Sequence, residues 1–188
     1  MPVTLATARL TLLSWSLATE VHKEGLVAAW DDPEVWRYVG AGRDGFTRAD
    51  LDAALERAAE QSTLEDELLV VRTSDDTVLG VCGLYAASID GGDPNETDLG
   101  YRYGRLSWGR GYGFEAAAEV MRWAVEERGL DRVGSSVQAP NEASRRILLR
   151  LGFTFTETRP VLQDPTRTAD FYVWTAPAGA GPAGAACS

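Results

Sequence analysis

Nine residues limit the fold more than any others: Trp108-Gly109-Arg110-Gly111-Tyr112-Gly113-Phe114-Glu115-Ala116. Three glycines at alternate positions run into an alanine-rich helical pattern, and a strand-like segment precedes them. Such a chain passes from strand through a tight turn into a helix. Glycine lets the backbone approach a ligand without a Cβ in the way. The free N–H groups of a first helical turn, with the helix dipole behind them, attract an anion. The same glycines also suit a strand-to-helix turn that holds nothing.

The chain has 188 residues, enough for one well-buried domain and short for two. Its net charge of −10 leaves no basic footprint for nucleic acid. An acidic surface suits a cationic or amine-bearing substrate, or solubility alone. With His22 the only histidine, no metal site is expected. Cys82 sits in an apolar strand pattern and Cys187 in the terminal tail, so no disulfide is expected. The first ten residues lack a basic region followed by an apolar run, and no apolar run approaches ~20 residues. The expectation is a cytoplasmic chain without a membrane span.

Residues 9–15 alternate as a strand, residues 18–30 read as a helix stopped before Pro33, and residues 33–38 make a short helical turn. Thr47, with Asp50 three positions on, opens a helix to about Gln61 whose inner face carries Leu51, Ala54, Leu55, Ala58 and Ala59. Residues 67–72 and 78–85 flank Ser74-Asp75-Asp76 as a hairpin, and residues 90–95 form another turn. Residues 96–106 read as a strand with Leu99, Tyr101 and Tyr103 on one face. Gly100 and Gly104 within it suggest a bulge or a close backbone approach. The helix after the glycines spans residues 111–128, with Glu115, Glu119, Arg122 and Glu126 wet and Phe114, Ala117, Ala118, Met121 and Val125 buried; Gly129 ends it. Residues 133–138 are a strand, Asn141 caps a last helix ending by Gly152, and residues 153–159 and 168–174 pair as an antiparallel unit. One domain over residues 1–175 and a disordered Ala/Gly/Pro-rich tail, residues 176–188, complete the reading. Meandering strands followed by strand–helix alternation imply an α/β (α+β) fold: a mixed, mostly antiparallel sheet with helices on both faces.

Three segments together resemble the GNAT superfamily of acyl-CoA-dependent N-acyltransferases. They are Asp98-Leu99-Gly100-Tyr101, the glycine stretch, and Asn141-Glu142-Ala143-Ser144 continuing to Leu151-Gly152-Phe153. Asp31-Asp32-Pro33-Glu34-Val35-Trp36-Arg37-Tyr38 is similar to the branch that acetylates the N-termini of ribosomal proteins. The likeness covers about residues 5–175 in order. It implies a GNAT-like sheet with a splay between the fourth and fifth strands. It also implies coenzyme A pyrophosphate held over Trp108, Gly109, Arg110, Gly111, Tyr112, Gly113 and Phe114. The pantetheine arm would lie along Leu99, Gly100 and Tyr101, with Asn141 and Ser144 at its thiol end. Trp108 stands where most of the superfamily has Gln or Arg, as is usual in the branch.

The implied activity moves an acetyl group from acetyl-CoA to a primary amine, on a protein N-terminus or a small molecule, by direct attack in a ternary complex. The amine must lose a proton and the departing thiolate benefits from one. Asp98 is the first choice of base and Glu96 the second, although both also suit the solvated start of a strand. Leu148 replaces the tyrosine that many relatives use as acid, which leaves Ser144 as the candidate donor. Trp36, Tyr38 and Phe46 fall where acceptor loops lie, or pack the core. His22, away from these motifs, is expected at the surface. A non-catalytic acyl-CoA-binding sensor or interaction module is the alternative. A nucleotide phosphate binder lacks the Lys-Ser/Thr it needs. Homodimers are common in the superfamily.

Overall fold

The computed structural model describes residues 1–39, 42–61, 63, 65–85, 96–161 and 164–177. The turn expected at residues 90–95 and nearly all of the expected tail lie outside them. A short strand, β1 (Thr4–Ala6), pairs antiparallel with β2 (Leu10–Ser14). A single 3-10 turn leads to α1 (Glu20–Trp30), α2 (Pro33–Trp36) and α3 (Arg48–Glu60). The hairpin β3 (Glu67–Arg72) and β4 (Thr77–Tyr85) precedes β5 (Asp98–Tyr103). Then come α4 (Tyr112–Glu126), β6 (Arg132–Gln138), α5 (Glu142–Arg150), β7 (Thr154–Val161) and β8 (Asp164–Thr175).

The strands form one sheet in the order β1-β2-β3-β4-β5-β6-β8-β7, antiparallel except between β5 and β6. Both faces of its centre are covered, which explains the continuous apolar run Leu68-Leu69-Val70-Val71 in β3. Leu68 and Val70 join the cluster beneath α4, with Leu99, Val120 and Leu148. Leu69 and Val71 join the opposite cluster, with Leu26, Trp30, Trp36, Phe46 and Leu51.

Several expectations change in detail. Thr47 and Asp50 do form a reciprocal capping box at the start of α3, but only Leu51 of its expected inner face is fully buried, and Ala59 is exposed. The α4 face is rotated: Ala116, Ala117, Val120, Met121, Trp123 and Ala124 are buried, whereas Phe114, Ala118 and Val125 are only half-covered. Alanine gives little contrast between faces, so periodicity alone misplaced the stripe. His22 is 7% exposed, not at the surface. Its Nδ1 accepts the Thr19 N–H at 3.2 Å, its own N–H reaches Thr19 Oγ1 at 3.3 Å, and Nε2 lies 3.2 Å from Asp76 Oδ2. It therefore caps α1. Across β4 and β5 the register is unbroken, so Gly100 and Gly104 mark close approach and not a bulge. An added Cβ on Gly100 would sit 2.6 Å from the Tyr85 ring, and one on Gly104 would sit 2.8 Å from Ala29 Cβ.

Candidate active site

The parallel pair β5–β6 meets at one register position, Asp98 opposite Gly134, where the Gly134 N–H donates to Thr97 O at 2.8 Å. Beyond it the strands diverge toward their C-terminal ends. The splay expected between a fourth and a fifth strand is this one, renumbered because β1 was not foreseen. The missing ladder is partly replaced by a side chain, since Ser135 Oγ donates to Leu99 O at 2.9 Å. The Leu99 side chain is buried in the core. Asp98 therefore stands at the apex of a V whose open end lies about 17 Å away at a rise of ~3.3 Å per residue.

The glycine stretch and the start of α5 occupy that open end. Gly111 is the N-cap of α4, left-handed at φ +80°, and supplies no side-chain acceptor. The first backbone bond into the helix is Glu115 N–H to Gly111 O at 3.1 Å, which leaves the N–H groups of Tyr112, Gly113 and Phe114 for a ligand. Gly109 has φ +72°, and an added Cβ there would meet nothing within 4 Å. Open backbone beside three spare N–H groups fits a pyrophosphate.

Side chains around the turn hold its shape. Trp108 is exposed, and its Nε1 donates to Tyr103 O at 2.8 Å, tying the loop to the end of β5. Arg110 is exposed, and its carbonyl accepts from Arg9 Nη1 at 3.1 Å. Arg9 also pairs with Glu115 at 2.5 Å, and Thr7 Oγ1 donates to the same carboxylate at 2.6 Å. The Tyr112 side chain is buried beneath the Arg9 guanidinium, so only its N–H faces outward. Gly113 is confined by Tyr103 and Ile147, at 3.2 and 3.1 Å from an added Cβ. Phe114 is covered by the Arg150 guanidinium, 3.8 Å from its ring centre. A 510 Å³ cavity bounded by Arg9, Gly111, Phe114 and Arg150 lies alongside.

Asn141 caps α5, its Oδ1 accepting the Ser144 N–H at 3.2 Å. Ser144 in turn meets a partner that spacing could not reveal: Tyr101 Oη lies 2.9 Å from Ser144 Oγ and 3.2 Å from Ser144 O. Burial pushes the Tyr101 phenol well up, against the opposing pull of the Ser144 hydrogen bond. The phenol is therefore protonated throughout the neutral range. Leu148, at the position where a tyrosine acid was sought, is fully buried. Cys82, opposite Tyr101 in β4, is no nucleophile: burial pushes its thiol up to about 12.

On the other face of the sheet, alternation along β5 places Asp98, Gly100 and Arg102 together. Asp98 is 9% exposed. An added Cβ on Gly134 would collide with Asp98 Oδ1 and sit 3.1 Å from Glu96 Oε2, so both carboxylates converge over this glycine. Glu96 is ion-paired with Arg132 at the rim. A 350 Å³ cavity lies beside them, floored by β6 and β8. Trp36 and Phe46 are buried and stack at 5.2 Å, with Trp30 edge-on to both. Both belong to the core as well as to this face. Tyr38 is half-buried, with the Arg37 guanidinium 5.5 Å from its ring, and lies outside the cluster. Glu67 links Trp15, at 3.1 Å from the indole Nε1, to the Tyr85 hydroxyl.

Known proteins share this architecture. A solved GNAT-family acetyltransferase from Bacillus anthracis superposes with a TM-score of 0.75 over 92% of this chain and 98% of its own, at 15% identity. RimL, a ribosomal-protein alpha-N acetyltransferase solved with coenzyme A, superposes with a TM-score of 0.73 over 93% and 98%, at 13% identity. Among sequence relatives, the uncharacterized N-acetyltransferase p20 of Bacillus licheniformis is 29% identical over 158 residues, covering 80% of this chain and 82% of the relative. The family described as "Acetyltransferase (GNAT) domain" matches residues 9–154, and the chain belongs to that acetyltransferase family.

Proposed function

We propose that this chain is an N-acetyltransferase that moves an acetyl group from acetyl-CoA to a primary amine by direct attack. One observation carries the reading: β5 and β6 pair at a single register position, Asp98 with Gly134, with a pair of carboxylates at that apex and an anion cradle at the open end. When bound, acetyl-CoA supplies an activated acyl group as a thioester. The N–H groups of Tyr112, Gly113 and Phe114 hold its pyrophosphate. The backbone of Leu99, Gly100 and Tyr101 receives the pantetheine arm as an added strand.

Asp98 takes the proton from the attacking amine, with Glu96 positioned by Arg132 beside it. As the C–N bond forms and the C–S bond breaks, the hydroxyl pair Tyr101–Ser144 returns a proton to the departing sulfur. Tyr101 thereby fills the role for which Leu148 has no chemistry. Among the described residues no histidine adjoins a nucleophile, so nothing supports an acyl-enzyme.

The acceptor is a peptide N-terminus or a small-molecule amine in the cytoplasm. RimL acts on a protein N-terminus by its name. A second relative, 39% identical over 64 residues (34% of this chain and 27% of the relative), is named FsC-acetyl coenzyme A-N(2)-transacetylase, from Aspergillus fumigatus. Buried Leu148 is the one feature favouring a non-catalytic acyl-CoA sensor.

Steady-state kinetics of Asp98→Asn and Ser144→Ala, with CoA affinity measured alongside, separates these readings. Acyl transfer predicts a loss of turnover with CoA affinity kept. Full turnover in both variants would remove the roles assigned here. Binding without turnover by the unaltered chain would favour the sensor.

A further inference from the structure

We propose that the acceptor carries an anionic group, a carboxylate or a phosphate, set back from its amine along β5, and that Arg102 and Trp30 receive it. This rests on the acyl-transfer reading and names the acceptor class for that site. Arg102 lies on the same sheet face as Asp98, four residues further along β5. Its guanidinium carbon sits 4.2 Å from the Trp36 ring centre and 4.7 Å from that of Trp30. Its Nε is buried without a hydrogen-bond partner, and so is Trp30 Nε1.

Neighbouring donors on this face are satisfied. Trp36 Nε1 donates to Trp30 O at 2.8 Å and Trp15 Nε1 to Glu67 Oε1 at 3.1 Å. The second Glu67 oxygen is taken by the Tyr85 hydroxyl. Arg43, which also lies over Trp36, is paired with Asp50 at 2.5 Å. Arg102 is thus a cation held on two indoles: Glu67, the acid whose charge reaches it, spends both oxygens on Trp15 and Tyr85, and no ion pair among the described residues includes Arg102.

Buried donors are costly to leave unmade. A buried guanidinium stacked on an indole whose own N–H is also unpaired offers an anion two donors, and the guanidinium fork matches carboxylate and phosphate oxygens. Arg102 as a residue is half-buried, while its Nε is fully buried. The net charge of −10 pointed to a cationic acceptor. A desolvated local charge counts for more than screened surface charges far from it.

The spacing sets a length. Four strand steps from Asp98 to Arg102 span about 13 Å at a rise of ~3.3 Å, with the Tyr85 ring over Gly100 between them. An acceptor lying along β5 places its amine at Asp98 and its anion three or four extended residues away.

The test uses the full chain saturated with CoA and three amide-ended tetrapeptides that differ only at the fourth position: glutamate, phosphoserine or glutamine. By calorimetry, one or both anionic peptides should bind on the order of 10- to 100-fold tighter than the glutamine peptide, and the tighter of the two identifies the anion. Arg102→Gln should abolish the difference. Trp30→Phe, which keeps the aromatic surface and removes the N–H, should shrink it several-fold.

Equal affinity of the three peptides, no binding by any, or a preference that survives Arg102→Gln would overturn the proposal. If Arg102→Gln proves unfolded by circular dichroism, the unaltered chain and Trp30→Phe decide. Thiol release with uncharged amines is measured in parallel. Transfer without anion preference removes only this inference, whereas no release with any amine removes the acyl-transfer reading.

Discussion

Replacing Gly111 with alanine separates the stability of the turn from its use. Gly111 is left-handed at φ +80°, and an added Cβ would have Arg9 Nη2 at 3.5 Å, an ordinary contact. The penalty is therefore conformational, about 1–2 kcal/mol for an L-residue in that region. In a chain of this size it lowers Tm by about 2–4 °C for each kcal/mol. Gly129, after α4, provides the control: its φ is +68° and an added Cβ meets nothing within 4 Å. Gly129→Ala should cost the same stability. Only Gly111→Ala should also disturb the N–H groups of Tyr112, Gly113 and Phe114. Loss of one charge-assisted bond to phosphate is worth about 1.5–3 kcal/mol, so CoA affinity should fall roughly 10- to 100-fold. Thermal unfolding and calorimetric titration with CoA measure both quantities. Equal CoA affinity in the two variants would refute the cradle.

Two further outcomes are expected. Tyr101→Phe should lower kcat by at least about tenfold with little change in the KM for acetyl-CoA. This lies below the usual effect of a lost general acid, about 100-fold or more, because a thiol of pKa ~8.5 leaves readily; an unchanged kcat would exclude the phenol. The Asp50 carboxyl is held at about 2, first by the Thr47 hydroxyl and then by Arg43. A depressed carboxyl contributes stability that is whole above its unfolded value, near ~4, and is lost as pH falls toward 2. Asp50→Asn should therefore flatten the stability curve in that window, read from denaturant titrations at stepped pH, and an unchanged slope would dismiss the contribution.

Where local chemistry sets the outcome, the sequence announced it. The left-handed glycines, the Thr47–Asp50 box and the Asn141 cap all arise from interactions within three or four residues. The apex acid Asp98 was legible because its neighbours Leu99-Gly100-Tyr101 belong to a shared pattern. What stayed hidden depends on contacts across the fold. Tyr101 and Ser144 are 43 residues apart in the chain and meet only once the β5–β6 splay brings α5 over the slot. The unpaired Nε of Arg102 depends on how Glu67, Tyr85 and the indoles pack around it, which no spacing encodes. His22 looked solvent-facing because its capping role uses a ring nitrogen in place of the usual carboxylate.

The central claim is that the slot transfers an acetyl group and does not merely bind a thioester. Thiol release from acetyl-CoA, paired with mass spectrometry of the amine, tests it directly. The account predicts one acetylated amine for each CoA thiol released, with no acetyl group left on the protein when the amine is withheld. Tight CoA binding with no thiol released across a broad amine panel, or a stable acetyl-protein, would contradict it.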